Sequence, residues 1–184
     1  RKEIYSYLCM LSLHGQSKDA LAKTEKGGWR YDIIEPGYKC NMTDIQASIG
    51  LVELQRYEEE TLKRRKEIFD RYSVALSKYE WADIPVAETE EKQSSYHIYL
   101  LRLNNFVELQ RDQVIKEIFD KDVSVNVHFQ PLPLLTAYKS REYKMEDYPK
   151  SFDNYQREIT LPLYYSLTNE QVDQVIKVVV ASVE

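Results

Sequence analysis

At residues 37–50 the chain reads Gly37-Tyr38-Lys39-Cys40-Asn41-Met42-Thr43-Asp44-Ile45-Gln46-Ala47-Ser48-Ile49-Gly50, and its character changes halfway along. The first half, residues 37–42, has the composition of an ordered loop: a permissive glycine, an aromatic ring, a cation and an amide. The second half, residues 43–50, predicts the start of a helix with one apolar face. Polar groups would therefore stand at a helix N-terminus, where the partial positive charge of the backbone favours an anion.

Length and composition indicate a soluble protein with one core. The chain has 184 residues, of which 43% are hydrophobic, and its net charge is −5 with acids and bases interspersed. This balance argues against nucleic-acid binding, which favours a basic face. No apolar run approaches the roughly 18 residues of a membrane span, and nothing resembles a signal peptide. Cys9 and Cys40 are too few for a disulfide framework or a metal site, so we expect reduced thiols in a cytoplasmic protein.

Helical periodicity recurs along the chain. It predicts helices over residues 2–13, 43–57, 59–78 and 111–121, and a last helix that begins at the capping-box-like run Thr168-Asn169-Glu170-Gln171. The helix at 43–57 has Thr43 or Asn41 as its N-cap. Its apolar set is expected to face a core and consists of Ile45, Ile49, Val52 and Leu54.

Three short segments have the composition of strands, namely residues 96–103, 123–129 and 159–163. Residues 80–94 and the tyrosine-rich residues 135–150 are predicted to be irregular, and residues 152–157 to form a helical turn. The order of the elements predicts an α+β unit whose small, mostly antiparallel sheet is covered by helices.

The residues alone do not reveal a reaction. The chain has no glycine-rich phosphate loop and no serine in a nucleophile elbow. His14, His97 and His128 lie far apart without ligand spacing, so a zinc site is not expected. Composition and periodicity therefore lead only to an α+β protein with a loop suited to an anion.

Six ordered segments resemble signatures of one family, and together they cover most of the chain. Residues 37–54 resemble the signature G-Y-x-x-x-M-T-D-I-Q-A-A-I-G-L-x-Q-L of the DegT/DnrJ/StrS family of pyridoxal-phosphate-dependent aminotransferases, which act on nucleotide-linked keto sugars. The other five segments are His14–Ala20 (H-G-x-S-K-D-A), Arg64–Tyr72 (R-R followed by Y), Ser95–Tyr99 (A-Y-H-L-Y), Val127–Leu132 (V-H-Y-x-P-L) and Leu161–Thr168 (L-P-L-Y-P-x-L-T).

The resemblance implies a fold and a division of the chain. Members of the family have the fold of type I PLP-dependent transferases, in which a C-terminal α+β domain follows a large α/β domain. Residues 1–56 would be the end of the large domain with an interface loop and helix that pack on its missing part, and residues 57–184 the C-terminal small domain. The first residues already have the pattern of a helix interior, so we expect a piece of a longer protein.

The resemblance also implies where the chemistry resides. The lysine that forms the aldimine with pyridoxal 5'-phosphate (PLP) lies upstream in the family, and Lys26 falls in a variable loop instead. This chain alone is therefore expected to hold no catalytic residue and to be inactive.

Candidate binding residues follow from the same resemblance. Lys39 and Asn41 would reach across a homodimer interface toward the PLP phosphate of the partner subunit, in place of the family's usual asparagine and arginine. His128, Trp29 and Tyr138 are the candidate substrate-binding residues. A plain surface lysine at 39 and an N-cap at 41 remain alternatives.

The function implied is that of a cytoplasmic, homodimeric enzyme. The intact protein would move an amino group from glutamate to a nucleotide-linked keto sugar, for cell-surface polysaccharide or modified-sugar biosynthesis, with no nucleic-acid or membrane partner. Two alternatives stay open: a non-catalytic dimerisation or regulatory module, and a relative without the lysine that acts as a dehydratase or a sensor.

Overall fold

The chain forms two compact units in the computed structural model, Arg1–Gln55 and Arg56–Glu184. The structure describes residues 1–17, 32–139 and 141–184. The helices in these ranges are α1 (Lys2–Ser12), α2 (Asp44–Arg56), α3 (Lys63–Leu76), α4 (Glu108–Phe119), α5 (Thr136–Lys139), α6 (Pro149–Arg157) and α7 (Asn169–Val183). A π-helical turn, Tyr57–Leu62, joins α2 to α3, and 3-10 turns form at Leu132–Leu134 and Met145–Asp147.

A small antiparallel sheet lies in the second unit and confirms the predicted α+β class. The strands are β1 (Ala82–Asp83), β2 (Glu88–Thr89), β3 (Lys92–Gln93), β4 (Tyr99–Leu103) and β5 (Glu158–Leu161). The sheet has the order β1-β4-β5, and β2 and β3 form a separate hairpin. The register of the central pair places Tyr99 opposite Leu161 and Leu101 opposite Ile159.

The core of the second unit lies between this sheet and helices α3, α4 and α7. Every second residue of β4 is buried, as expected for a strand with one face toward a core. The ring of Phe69 on α3 meets the ring of Tyr99 edge to face, with centroids 4.7 Å apart, and the Tyr72 hydroxyl donates to the carbonyl of Pro162 over 2.9 Å. Aromatic contacts and one buried hydroxyl bond thus hold α3 against the sheet.

The last helix begins where the sequence predicts. Thr168 accepts a hydrogen bond from the backbone N–H of Gln171 over 3.2 Å, and the Gln171 side chain accepts one from the N–H of Thr168 over 2.9 Å. This reciprocal capping box pairs two donors that a helix N-terminus otherwise leaves open.

The predicted strand over residues 123–129 is wrong. Only Asn126 forms a bridge, to Thr160 of β5. The next backbone donor along, the N–H of His128, bonds to the Glu158 side chain over 2.9 Å. The Glu158 carbonyl accepts a bond from the buried Arg111 instead. Side chains therefore take the places that a ladder of backbone hydrogen bonds would need.

Two other expectations need correction. The predicted strand at 96–103 begins only at Tyr99, because Tyr96 adopts a left-handed backbone with φ of 50° that a strand cannot contain. The two helices predicted at 43–57 and 59–78 are continuous through the π-helical turn, since no glycine or proline separates them.

The apolar set of α2 is exposed rather than turned toward a core. Its members show exposures of 76% for Ile45, 63% for Ile49, 58% for Val52 and 71% for Leu54. Neither α1 nor α2 contains a buried residue. A helix face becomes buried only when another element covers it, and no described element of the first unit covers this one.

Candidate functional site

The loop before α2 is fixed to the end of α1 by backbone hydrogen bonds. Tyr38 donates to the carbonyl of Leu11 over 2.7 Å, and Cys40 donates to the carbonyl of Ser12 over 3.0 Å. These carbonyls belong to the last turn of α1 and have no partner within the helix. The loop therefore has a defined backbone although its side chains are exposed.

Gly37 permits this close approach. A Cβ atom at this position would lie 2.4 Å from the backbone nitrogen of Gly15 and 2.6 Å from the carbonyl oxygen of Leu11. Both distances are shorter than real contacts allow, so any side chain at position 37 would push the loop away from α1. The glycine that opens the stretch is thus required for packing.

Lys39 and Asn41 lie side by side at the end of this loop. The ammonium of Lys39 donates to Oδ1 of Asn41 over 2.5 Å. The N-cap of α2 is Thr43, whose hydroxyl accepts from the N–H of Gln46 over 3.3 Å, while the Gln46 side chain accepts from the N–H of Thr43. The alternative of Asn41 as N-cap is therefore wrong, and its amide is left beside the lysine.

His128 lies in a groove of the second unit. The groove has a volume of about 520 Å³, and its lining includes Lys92, Arg102, His128, Ser151, Asn154 and Glu158. The ring nitrogen Nδ1 of His128 lies 2.8 Å from the hydroxyl of Thr160 on β5. The imidazole is half-buried, so one edge contacts the sheet while the ring also borders the groove.

Behind His128, the Glu158 carboxyl is buried at 4% exposure. Its oxygens accept from the backbone N–H of His128 over 2.9 Å and from the Thr160 hydroxyl over 2.5 Å. Burial raises the pKa of the carboxyl above its usual range, whereas these two hydrogen bonds and the charge of Arg111 lower it. The effect of burial is the largest, so the net pKa of the carboxyl is raised.

Arg111 of α4 completes this buried cluster. It is 1% exposed, and its Nη1 donates to the carbonyls of Tyr155 over 2.8 Å and of Glu158 over 2.9 Å. Its Nε donates to Asp112. A buried guanidinium with this many acceptors fixes the start of β5, and hence the position of the Glu158 side chain.

Tyr138 lines a second cavity of about 370 Å³, together with Pro131, Leu132, Pro133, Tyr143, Tyr148 and Ser151. Ser151 borders both this cavity and the groove of His128. The structure therefore brings the two predicted substrate residues of the second unit, His128 and Tyr138, to adjacent cavities.

The remaining candidates fall elsewhere. Trp29 and Lys26 lie outside the described residues. His14 and His97 are exposed, and Cys9 and Cys40 are free and exposed. Within residues 1–17, 32–139 and 141–184, no cluster of three or more histidine, cysteine or acidic side chains could hold a metal ion. None of the helices in the same ranges combines the length and the apolar character needed to span a membrane.

A family model matches residues 2–180, that of the DegT/DnrJ/EryC1/StrS aminotransferase family. The chain belongs to this family. Its membership agrees with the six sequence segments described above.

Relatives in this family align over almost the whole chain. It is 38% identical over 181 residues to the uncharacterised protein MJ1066 of Methanocaldococcus jannaschii, covering 97% of this chain and 46% of that protein. It is 34% identical to the spore coat polysaccharide biosynthesis protein SpsC of Bacillus subtilis, again covering 97% of this chain and 46% of the relative. The chain thus spans about half the length of these relatives.

Solved structures confirm the fold. The putative sugar aminotransferase Spr1654 of Streptococcus pneumoniae, in its PMP form, superimposes with a TM-score of 0.88 and 44% identity, covering 99% of this chain and 45% of that one. The same protein has also been solved in a PLP form. The chain therefore has the fold of the matching part of Spr1654, in agreement with the fold that the sequence resemblance implies.

The residues of the first unit fit the phosphate of PLP. Because Oδ1 of Asn41 accepts from Lys39, the amide nitrogen of Asn41 is available as a donor. An ammonium, an amide N–H and the nearby N-terminus of α2 form a set of donors, and the one carboxylate in the first turn of α2 is that of Asp44. Such a set suits a dianionic phosphate.

Sequence reasoning missed Glu158, Thr160 and Arg111. A signal for the first two was present, because a glutamate and a threonine stand in the short apolar run Glu158-Ile159-Thr160-Leu161, all of which is buried. A polar residue inside a buried strand needs a specific partner. Arg111 gave no signal, since an arginine near the start of a helix is usually solvated.

Proposed function

We propose that this chain is the C-terminal portion of a PLP-dependent aminotransferase that transfers an amino group from glutamate to a nucleotide-linked keto sugar. The product would enter cell-surface polysaccharide or modified-sugar biosynthesis in the cytoplasm. The observation that carries the proposal is the likeness of nearly the entire chain to a sugar aminotransferase. The first unit would be the end of a larger cofactor domain, and the second unit the small domain that follows it in the sequence.

The role proposed for Lys39 and Asn41 is to bind the phosphate of PLP held mainly by a second copy of the protein. When bound, PLP supplies the carbon that carries the amino group and a ring that accepts the electron pair. The two side chains would anchor the phosphate and orient the ring without taking part in bond making. Support comes from the exposed pair of donors on a backbone fixed to α1.

The role proposed for the groove is to bind the sugar substrate. His128 would present its ring to a hydroxyl of the sugar, and Lys92 would supply positive charge in the same groove, which Arg102 lines while paired with Asp83. Tyr138 and its neighbouring tyrosines offer aromatic faces in the adjacent cavity. Aromatic faces combined with hydrogen-bonding groups are typical of sites for small molecules with rings.

Homodimer formation is part of this proposal. The exposed apolar side chains of α1 and α2 include Ile4, Leu8, Ile45, Ile49 and Leu54. Large exposed apolar side chains in this number favour an interface. The same observation favours the second candidate function, a non-catalytic dimerisation module, so the experiment has to separate the two.

The test uses the intact protein that contains this chain. We expect purified protein to bind PLP, and the absorbance of the bound cofactor to change when glutamate is added. Lys39→Gln should weaken PLP binding by about ten- to a hundredfold, because a charge-assisted hydrogen bond contributes about 1.5–3 kcal/mol. Lys2→Gln, at another exposed lysine, is the matched control and should bind PLP normally.

A second pair of variants addresses the groove. His128→Gln should raise the KM for a nucleotide-linked keto sugar and leave the glutamate-driven absorbance change intact. His97→Gln is the control at an exposed histidine. A dimeric protein that neither binds PLP nor responds to glutamate would overturn the enzyme proposal and support the dimerisation module.

A further inference from the structure

The hydrogen bonds behind His128 form a chain of three groups with a defined direction. Nδ1 of His128 lies 2.8 Å from Thr160 Oγ1, and Oγ1 of Thr160 lies 2.5 Å from Oε1 of Glu158. The second carboxylate oxygen, Oε2, accepts from the backbone N–H of His128 over 2.9 Å. This series of hydrogen bonds thus begins at the ring of His128 and returns to the backbone of the same residue.

Proton counting gives the direction. An ionised carboxylate only accepts hydrogen bonds, and a threonine hydroxyl has one proton to donate. When that proton points to Glu158, the oxygen of Thr160 can only accept from the imidazole. Nδ1 of His128 must then carry a proton, and in the neutral ring Nε2 carries none.

We propose that Thr160 and Glu158 are positioning residues that hold His128 as the Nδ1-protonated tautomer, with the Nε2 lone pair available as a hydrogen-bond acceptor in the groove. Among the described residues, none donates a hydrogen bond to Nε2. The groove therefore selects a ligand that places a hydroxyl or an N–H at this point, and disfavours a ligand with a carbonyl or carboxylate oxygen there.

Arg111 supports the ionised state of Glu158 on which this direction depends. Its buried guanidinium donates to the Glu158 carbonyl over 2.9 Å and places a positive charge near the carboxylate. The hydrogen bonds to both carboxylate oxygens favour the charged form as well. These groups reduce the increase in pKa that burial causes, while the pKa of the carboxyl stays above its usual range.

The substitution Glu158→Gln should reverse the direction of the hydrogen bonds between residue 158, Thr160 and His128. The backbone N–H of His128 requires an acceptor, so the amide oxygen of the glutamine would take the place of Oε2. Its NH₂ group would then face Thr160 and donate to it. Thr160 would donate in turn to Nδ1, and the proton of the imidazole would move to Nε2.

The experiment measures the tautomer of His128 in the intact protein by ¹⁵N NMR with ¹⁵N-labelled histidine, with the resonances assigned by their loss in His128→Gln. In the unsubstituted protein at neutral pH, Nδ1 should show a protonated shift and Nε2 an unprotonated one. Glu158→Gln should exchange the two shifts. Glu108→Gln is the matched control: Glu108 also accepts from a hydroxyl, that of Tyr155, and this change should leave both shifts unchanged.

A second pair of variants tests Thr160 without altering the carboxyl group of Glu158. Thr160→Val keeps the shape of the side chain but removes the hydroxyl. The ¹⁵N shifts of His128 should then no longer be those of the Nδ1-protonated tautomer alone. Thr160→Ser should restore it. An Nε2-protonated ring in the unsubstituted protein, or a tautomer unchanged by both Glu158→Gln and Thr160→Val, would overturn the proposal.

The inference rests on the proposed function in one respect, namely that the ligand of the groove is the sugar. If so, Thr160→Val should raise the KM for the keto sugar about tenfold, the size of one hydrogen bond, and Thr160→Ser should restore it. The tautomer is read without substrate and without turnover. The expected tautomers in a protein that aminates no sugar would therefore refute the function and leave the positioning role intact.

Discussion

Tyr99 shows at the residue scale how burial in the small sheet changes the chemistry of a side chain. Burial raises the pKa of its hydroxyl from 10.0 to about 12, with an opposing effect from the hydrogen bond to Ser73. The folded protein therefore keeps this proton at a pH at which the unfolded chain loses it. Stability due to Tyr99 is complete below pH 10 and is lost as the pH rises toward about 12.

The prediction is that Tyr99→Phe makes the protein less sensitive to alkali. Each unit of pH between the two pKa values costs about 1.4 kcal/mol of unfolding free energy per group, so the full difference is about 2.7 kcal/mol, of which about half is lost by pH 11. Urea unfolding at pH 9 and pH 11 measures it, and Tyr143→Phe is the control on an exposed ring. An equal loss of stability in Tyr99→Phe and in the unsubstituted protein would contradict the assignment.

His128 also shows which features of the site could be predicted from the sequence and which could not. His128 was found as a candidate because it ends an apolar, strand-like run and matches a family motif. The ring is controlled by Thr160 and Glu158, which lie about thirty residues later in the sequence. No local sequence pattern shows that their strand packs next to His128. Local rules identify the ring, whereas the tertiary structure determines which of its nitrogens holds the proton.

At the scale of elements, α7 is the helix whose beginning the sequence defines best. Thr168→Ala removes the acceptor for the backbone N–H of Gln171 and should lower the unfolding free energy by about 1 kcal/mol. Thr168→Ser keeps the hydroxyl and should cost much less. Denaturant titration of the three proteins measures the effect, and equal stability of the alanine and serine variants would show that the capping bond contributes nothing.

The comparison of α7 with residues 123–129 explains which elements could be predicted. The start of α7 depends on residues within one turn of each other, and such local chemistry is visible in a sequence. Residues 123–129 have the alternation of a strand, with Val123 and Val125 buried. An alternating segment forms a strand only where the neighbouring backbone groups are free to pair with it. Here Arg111 already bonds to the carbonyl of Glu158, and the Glu158 side chain accepts from the N–H of His128.

At the scale of the whole molecule, the sequence predicted the α+β class and the family correctly because the six segments are spread along the chain. It could not show which faces are buried. The apolar face of α2 was expected to be internal, since periodicity reveals that a face is apolar but not what covers it. Every buried apolar side chain of the described residues instead lies between Ile68 and Val179.

This distribution predicts that residues 56–184 fold without the first 55. The unit contains the sheet and the hydrophobic cluster of α3, α4 and α7, so a fragment of residues 56–184 should unfold cooperatively in urea, as followed by circular dichroism. A peptide of residues 1–55 should show no transition, because its two helices bury no residue of their own and are near the length at which isolated helices are marginal.

One core substitution makes the fragment experiment quantitative. Leu101→Ala removes a side chain that is 0% exposed at the centre of the sheet and should cost about 2–5 kcal/mol. If residues 56–184 form an independent folding unit, the loss should be the same in the fragment and in the chain that includes the first 55 residues. A much smaller loss in the fragment would mean that its core is not formed, and that the small sheet needs the first unit in order to fold.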